Sequence, residues 1–428
     1  MSDDLYFTHS LNLFFIFQIS MNKVDKQYLE LARDILEHGT LKNTRAGEVL
    51  SVFDRTLRFD LKEGLPLLTT KRVYTKGIIH ELLWFLSGDT NIKYLIENKV
   101  NIWTDDAYRY YCELTKKHNA NFYDGDKYYS TVELNSDTGY TFVSKLSSYD
   151  NVIAPDREFA DDNFTIKQID VISKEEFVEK VINKDSLLIV LNNKRELLNS
   201  DAHSHLMHYN YGDLGNIYGA KWRGKCGIDK NQGTDQVKQI IDTLKNNPDD
   251  RRMLCVAFDN DILNSEQGVA LPPCHVMWQV YSREVSPEER ISWYNKQHPD
   301  DMLTVDDIDT LDSELFPTRE LSLMFLMRSN DYCAGNPFNV TSYSILLYIL
   351  AELTNMIPGD VVGHFEDVHI YTNHIEGIKE QMSRSGCEYL PTLKFARKLT
   401  DIDNIKFEDI IINDYNPDPP IKYTLNVG

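Results

Sequence analysis

Apolar side chains at helical spacing open the readable part of the chain. Residues 21–39, MNKVDKQYLELARDILEHG, carry them on one face and stop at Gly39. KGIIHELLWFLSG predicts a second helix, with Ile78, Ile79, Leu82, Leu83 and Phe85 forming a broad apolar stripe closed by Gly88. Glu81 stands inside that stripe, either solvated on the far side or buried, hydrogen-bonded and altered in proton affinity. TDQVKQIIDTLKNNPDDRR is amphipathic through Val237, Ile240, Ile241 and Leu244 and ends at Asn247-Pro248. RMLCVAF, CHVMWQVYS, LSLMFLMRS and VVGHFEDVHIY read as strands. SYSILLYILAEL is apolar on every side, as a buried central helix must be, and NHIEGIKEQMS predicts another helix. The reading is an α+β fold, several strands in a mixed sheet packed against one long buried helix.

Two stretches interrupt that pattern. Residues 106–208 turn rich in Tyr, Asp, Asn and Ser, and within them FTIKQIDVIS, KEEFVEKVINK and SLLIVLNN predict strand, helix and strand, a small α/β subdomain. Residues 285–320 are too charged to form a core and read as a polar insertion. HSHLMH at 203–208 lacks a following carboxylate or cysteine at ligand spacing, so no metal is expected. Near the start, LNLFFIFQI is too short to span a bilayer and lacks a basic leader. Residues 1–20 are therefore expected to be a disordered extension and 21–428 one interrupted domain.

Charge narrows the partners. Across 428 residues, 66 Asp and Glu outweigh 45 Lys and Arg, a net charge of −21 that argues against DNA binding. No segment predicts a membrane span, and a small anionic substrate would need arginines focused locally. The six cysteines, at 112, 226, 255, 274, 333 and 387, form no CxxC pair, which points to a reduced, cytoplasmic setting.

One cysteine has unusual company. In ALPPCHVMWQVY, two prolines fix the backbone ahead of Cys274, and the residue can be read as core filler or as a nucleophile. His275 is a poor base for it, because successive strand side chains point to opposite faces. A thiolate there needs another stabiliser, and arginine is the natural one. Arg251 and Arg252 lie at a helix-to-strand turn, Arg328 beside Ser329 at a strand end, and Arg45 in a loop. Converging arginines and a hydroxyl make a phosphate cradle, whereas each arginine alone reads as a surface ion-pair residue.

The motifs LPLLTTKRV, HELLWFLSGDTNI, GDLGNIYGAKWR, NPDDRR, ALPPCH, RSNDYCAGNPFNVTSY and DVHIYTNHIE stand in the order found in folate-dependent thymidylate synthases. The chain resembles that family from about Tyr28 to its end, outside residues 106–208 and 285–320. The resemblance implies a homodimer joined through a sheet face and two substrates, dUMP and 5,10-methylenetetrahydrofolate, with no metal. It implies that Cys274 attacks carbon 6 of dUMP and that Arg328 touches both thiolate and phosphate, with Arg45 and Ser329 completing the cradle. Arg251 and Arg252 would come from the partner subunit. Asn339 would read the uracil ring, and His369 and Tyr371 the deoxyribose hydroxyl. Glu81 would relay protons, Tyr218 would assist removal of the carbon 5 proton, and Asp331 and Trp103 would contact the folate.

The implied reaction is reductive methylation of dUMP to dTMP with release of dihydrofolate. A deoxyuridylate hydroxymethyltransferase of the same fold is the alternative, in which water quenches the intermediate instead of hydride. Departures from the family pattern include Met327 before Arg328, Tyr74 near the folate, and a terminal Gly428 beyond the usual end.

Overall fold

The computed structural model describes residues 21–122, 131–135, 139–143, 171–190, 206–224, 233–260 and 269–426. These divide into two compact units, and the boundary falls within one helix, between Leu83 and Trp84. Elements are numbered along the chain.

Among the described residues the first unit holds 21–83, 236–256 and 274–426 and is built on a six-stranded sheet. Its strands are β1 (Thr40–Thr44), β2 (Gly47–Asp60), β7 (Leu254–Val256), β8 (His275–Glu284), β9 (Arg319–Asp331) and β10 (Ile357–Tyr371), in the order β1-β2-β10-β9-β8-β7. Only β9 and β10 run parallel, so the sheet is mixed. The crossover between them is α10 (Gly335–Thr354), most of whose residues are buried. It packs against both strands, and Tyr343 stacks on Phe325 of β9 with ring centroids 4.2 Å apart. Each leucine or isoleucine buried along this helix contributes roughly 1.5–3 kcal/mol of hydrophobic stabilisation.

Helix α1 (Lys23–His38) begins at Asn22, whose side chain caps the Asp25 N–H. The buried Asp25 carboxylate then accepts from the backbone and hydroxyls of Thr69 and Thr70, tying α1 to the LLTT segment. Helix α2 (Thr75–Ser87) follows, while α7 (Gln236–Asn246) turns its apolar stripe inward and α11 (Ile375–Met382) succeeds β10. A small two-stranded sheet of β11 (Thr392–Phe395) and β12 (Ile410–Asn413) precedes the C-terminal tail.

The 285–320 stretch departs from expectation. Despite its charge it folds into α8 (Pro287–Gln297) and α9 (Ile308–Ser313) around a core of Ile291, Tyr294 and Leu311, with Leu303, Ile308 and Phe316 against it. A capping box of Ser286 and Glu289 starts α8. Most of its acidic residues, among them Glu288, Asp309, Asp312 and Glu314, are exposed, and a few apolar positions suffice for a local core.

The second unit, residues 84–235 and 257–273, contains α3 (Lys93–Glu97), α4 (Thr104–Phe122), α5 (Lys174–Asn183) and α6 (Gly219–Trp222). Its four-stranded sheet has the order β4-β3-β5-β6, from β3 (Thr131–Asn135), β4 (Gly139–Val143), β5 (Ser186–Val190) and β6 (Leu206–Asn210). The FTIKQID part of the strand expected at 164–173 lies outside the described residues, and Val171–Ser173 there is not strand. His203 and His205 of the HSHLMH segment also lie outside them.

Candidate active site

Strand direction gathers most of the singled-out residues of the first unit at one end of its sheet. β8 starts there, β9 and β10 finish there, and β2 leaves the hairpin there. Cys274 sits just ahead of β8, half-buried, and its carbonyl accepts the Arg328 N–H at 2.9 Å. That bond extends the β8–β9 ladder by one pair and makes Cys274 and Arg328 cross-strand neighbours. Ser329 pairs in register with Asp367, and Asp331 with His369, on the parallel side of β9. Arg45 and Ala46 form the two-residue turn between β1 and β2, and Arg45 is exposed. Gly47 follows with φ of +132°, a conformation that favours glycine, and the Tyr371 ring lies 3.7 Å from where a Cβ would project.

Buried wiring supports these groups. His275 is buried, its Nδ1 lying 2.9 Å from the Tyr343 hydroxyl and its Nε2 3.3 Å from Asn339 Nδ2. Burial holds its imidazole down to about 4, so the ring is neutral near pH 7. An amide N–H facing Nε2 makes Nε2 the acceptor and leaves the proton on Nδ1. Asn339 Oδ1 in turn accepts from Asn330 Nδ2 at 3.0 Å, and Asn330 Oδ1 accepts from Asn336 Nδ2 at 2.9 Å. The Nδ1 of His369 lies 3.1 Å from the Asp367 carbonyl, which assigns its proton to that nitrogen and leaves Nε2 an acceptor. Tyr371 is pushed up to about 12, first by burial and then by the charges of Asp331 and Cys274, so its hydroxyl keeps its proton. Asp331 Oδ1 accepts from the backbone N–H of Cys333 and Ala334, which leaves its second oxygen outside those bonds.

Sequence reading passed over a neighbouring cluster. Lys71, in TTKRV, is buried; its ammonium donates to the Cys333 carbonyl at 2.6 Å and lies 4.3 Å from the centre of the Tyr423 ring. Burial brings that ammonium down to about 8 and pushes the Cys333 thiol well up. The tail is held beside it: His374 Nε2 bonds the Thr424 carbonyl at 2.8 Å, and Asn426 and Asn373 exchange amide bonds. Only the repeated polar residues of NDYCAGNPFN and YTNH hinted at such networks.

Other expected residues stand elsewhere. Glu81 belongs to α2 in the same unit, half-buried between His80 and Leu82. Arg251 and Arg252 are exposed just before β7, whose Leu254 pairs with Gln279 of β8. The Gln279 side chain donates to the Arg251 carbonyl, five residues along β8 from Cys274, or about 17 Å at strand rise. The second unit holds Tyr218 and Trp103. Tyr218 is buried at the start of α6 with φ of +34°, a strained backbone for a tyrosine. Its ring lies 5.1 Å from Phe85 and 5.8 Å from the half-buried Trp103. Among the described residues no group of three His, Cys, Asp or Glu side chains could hold a metal ion.

A cysteine paired across a ladder with an arginine, followed by a histidine that bonds an oriented amide, is equipment for covalent group transfer on a small molecule. A family model for thymidylate synthase matches residues 26–427. The chain is 33% identical over 398 residues to the thymidylate synthase of Mycoplasma mobile, covering 93% of this chain and 98% of that protein. It is 31% identical over 404 residues to that of Listeria monocytogenes, covering 94% of this chain and all of the relative. The chain belongs to the thymidylate synthase family and is a methyltransferase.

Proposed function

We propose that the chain methylates dUMP to dTMP at the β8–β9 end of the first sheet. The observation that carries this is the Cys274–Arg328 backbone bond, which makes a cysteine and a permanently charged residue cross-strand neighbours. A cation beside a thiol favours thiolate, the form that adds to carbon 6 of the uracil ring. As the new C–S bond forms, the ring double-bond electrons move toward carbon 5 and O4, and an Asn339 N–H at O4 stabilises that charge. 5,10-Methylenetetrahydrofolate supplies the one-carbon unit and the hydride and leaves as dihydrofolate.

Each remaining residue has a matching task. Arg328, Arg45 and Ser329 offer charge-assisted bonds to phosphate. The Nε2 of His369 can accept from a sugar hydroxyl and the Tyr371 hydroxyl can donate to it. Glu81 and Tyr218 move protons at carbon 4 and carbon 5. For the folate, Asp331 has a carboxylate oxygen to spare for ring N–H groups and Trp103 an aromatic face.

Arg251 and Arg252 lie far along β8 from Cys274 in their own chain, which suits service in a partner's site. A homodimer also accounts for the outer sheet face, where Met277, Met324 and Leu326 are only half-buried and Tyr281 is 66% exposed. The test is to incubate the dimer with fluorodeoxyuridylate and methylene-folate and map any adduct by peptide mass. An adduct on Cys274, with dTMP and dihydrofolate formed from dUMP, is the expected result. An unmodified Cys274 or a hydroxymethyl product would overturn the reading.

A further inference from the structure

An amide that reads a pyrimidine edge has a symmetry problem. Uracil presents an acceptor at position 4 and a donor at position 3, whereas cytosine presents a donor and then an acceptor. A carboxamide carries one of each and suits either base after a half-turn about its terminal bond. Choosing the side chain therefore does not choose the base. Something must stop the rotation.

The structure supplies stops at both ends of Asn339. On one side its Nδ2 faces Nε2 of the buried, neutral His275 at 3.3 Å; a turned amide would force the imidazole proton from Nδ1 to Nε2 and the Tyr343 hydroxyl from acceptor to donor. On the other side its Oδ1 accepts from Asn330 Nδ2 at 3.0 Å, where a turned amide would set two NH2 groups against each other. Asn330 cannot yield by turning itself, because its own Oδ1 receives Asn336 Nδ2 at 2.9 Å. Asn330 and Asn336 are 2% and 1% exposed, so water cannot stand in for a lost partner without a rearrangement. The two bonds to Asn339 use one lone pair and one N–H and leave one of each for a ligand.

We propose that Asn330 and Asn336 are positioning residues that hold the Asn339 amide in its uracil-reading orientation and thereby exclude cytosine nucleotides. The proposal rests on the reading of Asn339 as the base contact. Asn330 acts on the amide directly, and Asn336 acts through Asn330. Neither needs to touch the nucleotide.

The experiment compares dUMP and dCMP binding to the full dimer by displacement of labelled dUMP, for the parent, Asn330→Ala and Asn336→Leu. Asn330→Ala frees one end of the amide and should narrow the dUMP-over-dCMP preference about tenfold, with part of the change a gain in dCMP binding. Asn336→Leu, one step removed and close in volume, should narrow it about threefold and covers the case in which the first variant fails to fold. A merely structural role would weaken both nucleotides alike and leave the ratio where it was. A parent that prefers dUMP together with folded variants that keep its ratio would overturn the relay alone. A parent that binds both nucleotides equally would overturn the uracil reading and the relay with it.

Discussion

The two ends of the six-stranded sheet are built from different bonds. At the Cys274 end one buried run of hydrogen bonds is neutral and directional: Asn336 to Asn330, Asn330 to Asn339, Asn339 to His275, His275 to Tyr343. At the other end charge meets charge. Arg283 bonds Glu289 at 2.6 Å and Glu320 at 3.1 Å, Lys62 bonds Glu320 at 2.6 Å, and Arg58 bonds Asp360 at 2.6 Å. An exposed ion pair is satisfied over a wide range of geometries and contributes little net stability. A buried amide is satisfied in one orientation only, and a wrong one leaves polar atoms unpaired. One end therefore carries positional information and the other chiefly solubility and strand registry.

The largest effect that would break this contrast lies at the thiol. Cys274→Ala should lower turnover about 10⁴-fold or more, measured as tritium release from dUMP labelled at carbon 5, with circular dichroism unchanged. Substantial residual release would mean that the nucleophile lies elsewhere. Next comes the placement of Arg251 and Arg252. Arg251→Glu/Arg252→Glu dimers and Cys274→Ala dimers should each be nearly inactive, yet an equal mixture refolded together should recover about a quarter of parental activity. No recovery would place both defects in the same site.

A third prediction concerns pH. The free imidazole titrates near 6.5, whereas burial holds that of His275 down to about 4. As pH falls, the unfolded chain takes up this proton first, so the stability contributed is complete above about 6.5 and is lost on the way to 4. The difference is worth about 3 kcal/mol and should appear as a slope in urea midpoints across that window, absent in His275→Gln. Equal slopes in the two proteins would show that the ring is not held neutral. Smallest of all, Arg58→Ala at the ionic end, where the pair with Asp360 is exposed, should cost under about 1 kcal/mol and leave turnover as it was. A loss of several kcal/mol would erase the distinction between the two ends.

Much of this architecture can be read in residue patterns, and the parts that cannot share a cause. Helices α1, α2, α7 and α10 follow from apolar spacing, because burial on one face or all faces leaves a periodic trace. The opposition of Cys274 and His275 follows from strand alternation, and the structure leaves the thiol half-exposed while burying the imidazole. That Cys274 meets Arg328 does not follow, since their pairing spans the insertion and depends on register. The core within residues 285–320 was missed because three buried residues among many acids leave no periodic signal. Lys71 was missed because a lysine ordinarily marks a solvated surface, and here the Cys333 carbonyl and the Tyr423 ring replace water. The asparagine relay was missed for a related reason: an Asn has no periodicity of its own, and its meaning lies in which amide it faces.

The helical connection of residues 285–318 enters the chain where β8 hands over to β9, at the Glu284–Arg319 pair. Between that point and Cys274 lies the full ten-residue length of β8. Antiparallel pairing acts over that length as a rigid spacer, so whatever is spliced into the connection has no leverage on the reacting sulfur. Lengthening such a connection costs only a slowly growing closure entropy. Growth, trimming or grafting of foreign sequence at this junction should thus be inherited without retuning the chemistry, making it the natural place to attach a probe or a tether.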